Sequence, residues 1–362
     1  MRCPMARRLA LRVSRLRVYV TDRDGNPLAQ LPAGKLGTID LGLVDRDNAT
    51  ISADPSELAE LRLVDRELQA WIDDEPSPRL IGVPFTASKG LDARRVSVPV
   101  LGLETYFDRW ILDADLEYVD VDQLSIGANL IAWAQGRAIP GADANIDAAT
   151  FTLSGVTRTR RYAGDELDSI GEILGRFRDL TDGYDWSIEA IGADRREWTP
   201  HYPRKGTARD AWHLRYRQGS PGNVAQVGYN LDGSQITRRH HATTLSDGDG
   251  PSKLIGTYLD PTLDGLDGRL LIETVSSESS SIGDVATLES HGQARVEARR
   301  NVARTWEALV VDPVIAMGIE TGDTLEVDLD DGWQAYAGMA RVYGIRLDPI
   351  AERAILTLAE DD

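Results

Sequence analysis

Histidine and carboxylate clusters are the first places in this sequence where chemistry is expected. His240 and His241 are adjacent, and Asp247 and Asp249 follow shortly after them. Imidazole and carboxylate groups are common ligands of zinc and other transition metals. Neighbouring residues of a strand point to opposite faces of a sheet, so the two rings cannot easily bind one ion. We therefore predict a surface feature here and no metal site.

Two aspartate-rich segments suggest calcium ligands. Asp22, Asp24 and Asn26 match the start of a calcium-binding loop, but the glycine comes early and no glutamate closes the loop. A second group lies among glycines later in the chain and consists of Asp260, Asp264 and Asp267. Such residues are also typical of ordinary turns. We predict turns at both segments, with no bound metal and no cofactor.

The motifs of common enzymes do not occur in the sequence. It contains no Gly-x-Ser-x-Gly elbow, no His-Glu-x-x-His helix and no glycine-rich phosphate loop. The single cysteine, Cys3, lies in an arginine-rich end and is a poor candidate for a nucleophile. We predict no catalytic residues. A hydrolase that uses a pair of carboxylates stays open, because an acidic chain offers many such pairs.

Composition limits the classes of partner. The chain has 362 residues, a formal net charge of -18, 42% hydrophobic residues and 27% charged residues. These proportions are typical of globular proteins, and the length predicts two or more domains. A strongly negative surface repels nucleic acid and anionic lipid, so sequence-specific DNA binding is disfavoured. No apolar run is long enough to cross a bilayer.

Alternating side chains near the C-terminus predict antiparallel strands with one buried face. Between Thr324 and Asp330, apolar residues alternate with Glu326, Asp328 and Asp330, and an Asp331-Gly332 turn follows. A few short strands bury little core, so this module must complete a sheet with the N-terminal third of the chain. Further strands are predicted over Leu309–Met317, Trp333–Tyr336, Ala340–Leu347 and Arg353–Leu358, with a turn at Asp348-Pro349.

The N-terminal third shows the same alternation after a basic tail over residues 1–15. Short apolar runs between turns predict a strand-rich domain over 16–120. Its strands are predicted from Leu16 to Val20 and over Leu36–Val44, Ala49–Ser52, Leu68–Ile72, Leu80–Phe85, Arg94–Leu101, Trp110–Leu112 and Asp115–Val121, and Ser56–Leu63 forms a helical turn.

The hydrophobic period then changes from two to about 3.6 residues. Asp122–Gln135 is predicted as a helix, and Asp165 is predicted to cap a second helix that ends at Gly183. Together with strands over Phe151–Arg161 and Trp186–Ala190 they predict a small α/β domain over 121–205.

The remaining sequence returns to strands and then forms a helix. Strands are predicted in a region over 206–282, at Ala211–Arg217, Asn223–Tyr229, Gln235–Thr244 and Arg269–Val275. A long helix over Gly283–Arg304 opens the last region, 283–362. The fold class is therefore β-rich α+β. It comprises two barrel-like, tube-forming β domains, an inserted α/β domain and a long helix before the closing β module.

This order of elements resembles the tail-hub family of long-tailed phages, in particular the minor tail proteins of siphophages infecting actinobacteria. The segment YVDVDQLSIGANLIAWAQ (Tyr118–Gln135) is similar to the entry helix of that family's inserted domain. SGVTRTRRY (Ser154–Tyr162) and ILGRFRDLTDGYDWSI, within Ile170–Ile188, resemble the strand, helix and strand that follow. Thr321-Gly322-Asp323 is similar to the start of the closing hairpins.

The resemblance implies a structural virion protein at the tail tip, assembled in the host cytoplasm. It implies a homotrimer that closes the tail tube, contacts a tube or distal tail protein above and tip or fibre proteins below, and forms part of the genome-ejection channel. DNA would only pass through the lumen. Glu326, Asp328 and Asp330 are then candidate channel-lining residues, because a negative lumen repels the DNA backbone. The opposite placement, towards outside solvent, stays open.

Two other functions stay open beside the hub. One is a tail-associated cell-wall hydrolase that uses an unidentified acidic pair. The other is a receptor- or carbohydrate-binding tail protein, which would need several of the eight tryptophans clustered on an exposed surface.

Overall fold

Antiparallel sheets dominate this protein, in agreement with the predicted β-rich α+β class: of the residues that the structure describes, 52% are in strands and 17% in helices. The computed structural model describes residues 16–43, 46–56, 66–72, 76–89, 94–137, 145–178, 180, 182–220, 222–244, 254–262, 271–278, 285–301, 303–310, 318–348, 351 and 353–361. The predicted basic tail over 1–15, the helical turn over 57–63 and the loop aspartates Asp247, Asp249, Asp264 and Asp267 lie outside these ranges.

The first module of the sheet consists of seven strands from the N-terminal region. Their order is β3-β4-β7-β6-β5-β1-β2. Alternate side chains such as Val20, Ile39 and Val98 are fully buried between them, which is the face that the period-two pattern predicts. The strands are β1 (Leu16–Thr21), β2 (Pro27–Leu31), β3 (Leu36–Gly42), β4 (Asn48–Ala53), β5 (Glu67–Ile72), β6 (Leu80–Val83) and β7 (Val96–Gly102).

The second module consists of six strands from the C-terminal half. They run in the order β14-β18-β21-β20-β19-β13 around a core that includes Trp306, Val327 and Leu356. The strands are β13 (Ala208–Arg217), β14 (Val224–Asp232), β18 (Ala303–Val310), β19 (Thr324–Asp330), β20 (Ala335–Asp348) and β21 (Arg353–Glu360).

The two modules form one 13-stranded sheet because β20 belongs to both. Its first half pairs with β19, its second half pairs with β3, and β21 lies along its other side. The prediction that the C-terminal strands complete a sheet with the N-terminal third is confirmed. The prediction of separate strands over Trp333–Tyr336 and Ala340–Leu347 is wrong, since Ala335–Asp348 is one strand of 14 residues.

The strand pairs of the described residues do not close either module into a barrel. The continuous sheet ends at β14 and at β2, although β13 pairs with β19 beside this path. Asn223 partly closes the gap between β13 and β14, because its amide donates to the carbonyl oxygen of His213 and its oxygen accepts from the N–H of Arg215 (both 2.8 Å). The expected barrel-like modules are therefore open sheets.

An α/β unit packs between the modules around its own core. Asp122 caps the predicted entry helix by accepting from the N–H of Leu124 at 3.0 Å, so that helix is confirmed. A short helix after β7 has no counterpart in the sequence prediction. The elements are α1 (Glu104–Phe107), β8 (Leu116–Asp122), α2 (Gln123–Gly136), β9 (Ile146–Ala148), β10 (Thr157–Tyr162), α3 (Ile170–Arg178), β11 (Asp185–Ile191) and β12 (Arg195–His201).

The cap of α3 differs from the prediction. Asp165 is exposed and lies before the helix, whereas Ser169 and Glu172 form a reciprocal capping box. The hydroxyl of Ser169 accepts from the N–H of Glu172 at 3.1 Å, and the Glu172 carboxylate accepts from the N–H of Ser169 at 3.3 Å. The signal was present in the sequence as Ser-x-x-Glu before an apolar run.

A third, small sheet lies between β14 and β18 in the sequence. It consists of β15 (Arg239–Thr244), β16 (Ile255–Leu259) and β17 (Glu273–Glu278), with α4 (Val285–Arg299) packed on β15 and β16. The predicted helix over Gly283–Arg304 is too long at its end, since β18 begins at Ala303. The domain limits drawn from the sequence stay predictions. No helix within the described ranges is long and apolar enough to cross a membrane.

Candidate channel face and junction cavity

The three acidic candidates lie in one row on the solvent side of β19. Leu325, Val327 and Leu329 point into the core of the second module, where each is at most 1% exposed. Glu326, Asp328 and Asp330 therefore occupy the opposite face, as the alternation predicts. We call these three carboxylates the acidic row.

A cationic row on β13 lies directly beside the acidic row. The parallel register of the two strands aligns His213 with Glu326, Arg215 with Asp328 and Arg217 with Asp330. Arg217 lies 3.9 Å from both Asp328 and Asp330. His213 Nδ1 accepts a hydrogen bond from Arg215 Nε at 3.2 Å, so it does not form an ion pair with Glu326, which lies 3.6 Å away. These pairs are exposed and screened by solvent, so each contributes little to stability. Their main effect is to offset the negative charge of the face.

Sequence analysis singled out the acidic row but not the strand that lies beside it. The alternation of His213, Arg215 and Arg217 with apolar residues was visible, yet nothing in it names a partner strand. On the other side of β19, Ala335, Ala337 and Met339 of β20 align with the acidic row. The face is thus a strip of mixed charge beside small and apolar side chains.

A polar cavity of about 520 Å³ lies where both modules meet the α/β unit. We call it the junction cavity. Asp47 follows β3, and Glu104 is the first residue of α1. Arg178 enters from α3 and Lys205 from the connection between β12 and β13. The second module contributes Thr321, whose hydroxyl accepts a hydrogen bond from Lys205 Nζ at 3.4 Å.

Asp47 and Glu104 form a carboxyl pair in this cavity, and sequence analysis did not single them out. Burial raises the pKa of Asp47 to about 6, opposed by the N–H of Gly42 and by Lys205. Burial, followed by the charge of Asp47, raises the pKa of Glu104 to about 8. Both residues are half-buried, but Glu104 Oε2 is fully buried, so ionisation of both neighbouring carboxyl groups is costly and the pair favours retention of a proton.

The Thr321-Gly322-Asp323 motif anchors the connection that leaves the α/β unit. The carboxylate of Asp323 is buried and accepts hydrogen bonds from the N–H of Thr207 at 3.0 Å, from Arg209 at 2.8 Å and from the N–H of Glu320 at 2.9 Å. Arg341 of β20 forms a second anchor, since it pairs with Asp185 at 2.6 Å and donates to the carbonyl oxygen of Lys205. The motif thus ties the second module to the unit before it.

Gln123 connects the segments that carry the sequence resemblance. Its side chain is fully buried, donates to the carbonyl oxygen of Asp182 at 2.7 Å and accepts from Arg158 at 2.8 Å. Asp122 beside it accepts from the N–H of Gly155 at 2.9 Å. The entry helix, the following strand and the turn before β11 are therefore held together by two adjacent polar residues.

The candidate metal ligands have other partners. His240 is buried, and its ring lies within 2.9 Å of the hydroxyls of Thr274 and Ser276. His241 contacts Thr257 on the opposite face of β15, as predicted. Asp260 is buried in an ion pair with Arg238 at 2.9 Å. No group of three or more metal-ligating side chains occurs among the residues that the structure describes.

Other expectations concern the Asp22 loop and the tryptophans. Asp22 accepts from the N–H groups of Asp24 and Asn26, which is an ordinary turn.

All eight tryptophans lie in the described ranges, and one of them, Trp333, is exposed, at 69%. A cluster of exposed tryptophans is therefore not formed.

Taken with its sheet topology, the chain has the fold of prophage tail proteins over nearly its full length. It is similar to a tail protein from Neisseria meningitidis MC58 (16% identity, TM-score 0.58, 96% of this chain and 97% of that one). It is also similar to a 43 kDa tail protein of prophage MuSo2 from Shewanella oneidensis (10% identity and a TM-score of 0.61, over 95% of this chain and 98% of that one). A third similar structure is prophage tail protein gp18 from Listeria monocytogenes EGD-e (10% identity and a TM-score of 0.54, over 95% of this chain and 94% of that one).

These identities are low, so the likeness is one of fold. No protein-family model matches the sequence, and no curated protein sequence is similar to it.

Proposed function

We propose that this chain is a structural virion protein: a trimeric hub that closes the tail tube and connects it to the tail tip. The likeness in fold to three tail proteins, two of them from prophages, supports a structural role in a tail. The sequence segments quoted above support the finer assignment to a siphophage that infects actinobacteria. The protein would act without catalysis, by contacts with a tube protein above and with tip or fibre proteins below.

The observation that carries the trimer is the open 13-stranded sheet. Within the described ranges, neither β2 nor the far side of β14 has a partner strand. Unpaired sheet edges invite pairing with another chain, and a closed ring of identical subunits covers them. Each edge strand also carries an exposed leucine, Leu28 at 51% and Leu231 at 46%. We propose that these two edges contact neighbouring subunits.

We further propose that the face bearing the acidic row lines the lumen through which DNA leaves. The adjacent alanine side chains of β20 leave such a face smooth, and Arg215 and Arg217 offset two of its three negative charges. A lumen of mixed charge neither attracts the DNA backbone strongly nor repels it strongly. This refines the expectation of a negative channel, since Arg215 and Arg217 lie within the same strip.

Light scattering coupled to size exclusion tests the proposal. We expect a mass of three 39.7 kDa chains. Leu28→Lys and Leu231→Lys should each lower that mass, because a lysine on an edge strand opposes pairing. Val275→Lys is the matched control, since Val275 is 70% exposed on the separate small sheet, and it should leave the mass unchanged.

Two outcomes would support the other functions instead. A monomer that clears labelled peptidoglycan, and loses this activity in Glu104→Gln, would indicate a hydrolase that uses the carboxyl pair. A monomer that binds host cells as a purified protein would indicate receptor binding.

A further inference from the structure

The junction cavity brings together ionisable groups of both modules and of the α/β unit. Asp47 holds the ends of two strands of the first module: its side chain accepts from the N–H of Gly42 at 2.9 Å, and its carbonyl oxygen accepts from the N–H of Gly102 at 2.7 Å. Glu104 lies against the same Gly102, so the two carboxyl groups are close neighbours.

One carboxyl oxygen of the pair is left without a partner. Glu104 Oε2 is buried and has no hydrogen bond to the described residues. An ionised oxygen in that position would carry its full desolvation cost, whereas a protonated carboxyl group is neutral. The geometry therefore favours the protonated form of Glu104 in the junction cavity.

Charged groups from every side face the pair. The cations are Arg46, which pairs with Asp108, together with Arg79, Arg178 and Lys205. The anions are Asp108, Glu189 and Glu320. Arg178 donates to the carbonyl oxygen of Trp186 at 2.6 Å and lies over its ring, and its positive charge opposes the rise in the pKa of Glu104.

We propose that Asp47 and Glu104 form a proton-linked junction: the units pack closely while the pair holds a proton, and they part at the cavity when both carboxyl groups ionise. The proton leaves to solvent, and water enters to hydrate the two charges. This property goes beyond the structural role proposed above and does not depend on the trimer.

The direction of the effect follows from the pKa shifts. Both groups have a higher pKa in the folded protein, about 6 for Asp47 and about 8 for Glu104, than the ordinary values of 3.8 and 4.5. The folded state therefore binds more protons than the unfolded state between about pH 4 and pH 8. Stability from the pair is complete below that window and is lost as the pH rises through it.

Hydrogen–deuterium exchange of the full chain, corrected for intrinsic rates, tests the proposal at about pH 5 and about pH 9. In the wild type, we expect protection of the cavity-lining segments to fall by roughly tenfold or more on going to the higher pH, since one pKa unit corresponds to a factor of ten. In Glu104→Gln only Asp47 still titrates, so the change should be at least about tenfold smaller than in the wild type. Asp165→Asn, at an exposed carboxylate, should behave like the wild type.

A second variant distinguishes proton linkage of the carboxyl pair from a purely structural effect of these side chains. Lys205→Met removes a cation that favours the ionised pair, so the loss of protection should move to higher pH. If Glu104→Gln does not fold, the same measurement on Asp47→Asn decides the question. Wild-type pH dependence in the neutral variant, or no pH dependence in the wild type, would overturn the proposal.

Discussion

The backbones of Gly206 and Gly322 cross in direct contact, and both residues have a φ of +95°. A Cβ on Gly206 would overlap the carbonyl group of Gly322, and a Cβ on Gly322 would lie 2.6 Å from the carbonyl oxygen of Lys205. This crossing joins the connection from the α/β unit to the Thr321-Gly322-Asp323 motif. Only glycine satisfies both the left-handed backbone and the close approach.

Alanine at either glycine should therefore destabilise the fold. We expect Gly206→Ala and Gly322→Ala each to lower the free energy of unfolding by at least about 2 kcal/mol, from backbone strain together with the clash. Gly155→Ala is the control, because Gly155 has a φ of +76° but no atom within 4 Å of the added Cβ. Equal losses for all three variants in denaturant titrations would show that the close approach contributes nothing.

A buried ion pair ties the α/β unit to the first module. Arg196 and Glu67 are paired with side-chain exposures of 0% and 1%, and Arg196 also donates to the carbonyl oxygen of Arg23 at 2.8 Å. Glu67→Met should cost about 3 kcal/mol or more, because it leaves the guanidinium buried without a counter-charge. The double variant Glu67→Met/Arg196→Met should recover most of that loss.

The neighbouring residue on β12 provides the control for this pair. Glu197 pairs with Arg195 at 2.7 Å, but Arg195 is 60% exposed. Glu197→Met should therefore change the free energy of unfolding by less than about 1 kcal/mol. A cost for Glu67→Met as small as that of Glu197→Met would contradict a role for the buried pair in stability.

The capping box of α3 predicts a difference between two candidate caps. Ser169→Ala should cost about 1 kcal/mol, because the N–H of Glu172 loses its acceptor at the start of the helix. Asp165→Ala should leave the midpoint of thermal unfolding unchanged, since Asp165 is exposed and precedes the helix. A larger effect at Asp165 would favour the cap that the sequence first suggested.

The two charged rows predict opposite effects on DNA delivery by assembled particles. Glu326→Gln/Asp328→Asn/Asp330→Asn leaves Arg215 and Arg217 unopposed, so delivery should slow, most strongly at low salt. Arg215→Gln/Arg217→Gln should not slow it. Because the pairs are exposed, neither set should change stability by more than about 1 kcal/mol per pair.

Glu273→Gln, on the separate small sheet, is the control for these charge changes. Ejection rates from intact particles, compared at low and high salt, provide the measurement. If delivery is unaltered after the acidic row is neutralised, the proposal that this row lines the lumen is contradicted.

Local patterns predicted local structure well. The alternation in Thr324–Asp330 places three leucine and valine side chains in the core and three carboxylates outside, and β19 has the predicted limits. α2 begins at Gln123, one residue after the predicted start, because the side chain of Asp122 accepts from the free N–H of Leu124 and caps the helix. Each of these features depends on residues within a few positions of one another.

What the sequence by itself determined is which face of a strand such as β19 is buried, about where the two longest helices, α2 and α4, begin, and the β-rich class. The tertiary structure alone decided which strands are neighbours. It made β20 one strand shared by both modules, set the cationic row beside the acidic row, brought Asp47 next to Glu104, and joined Thr207 to Asp323 across 116 residues. The physical reason is that periodicity is imposed by the backbone of each segment, whereas long-range pairing is selected by burial of the whole core and leaves no local mark.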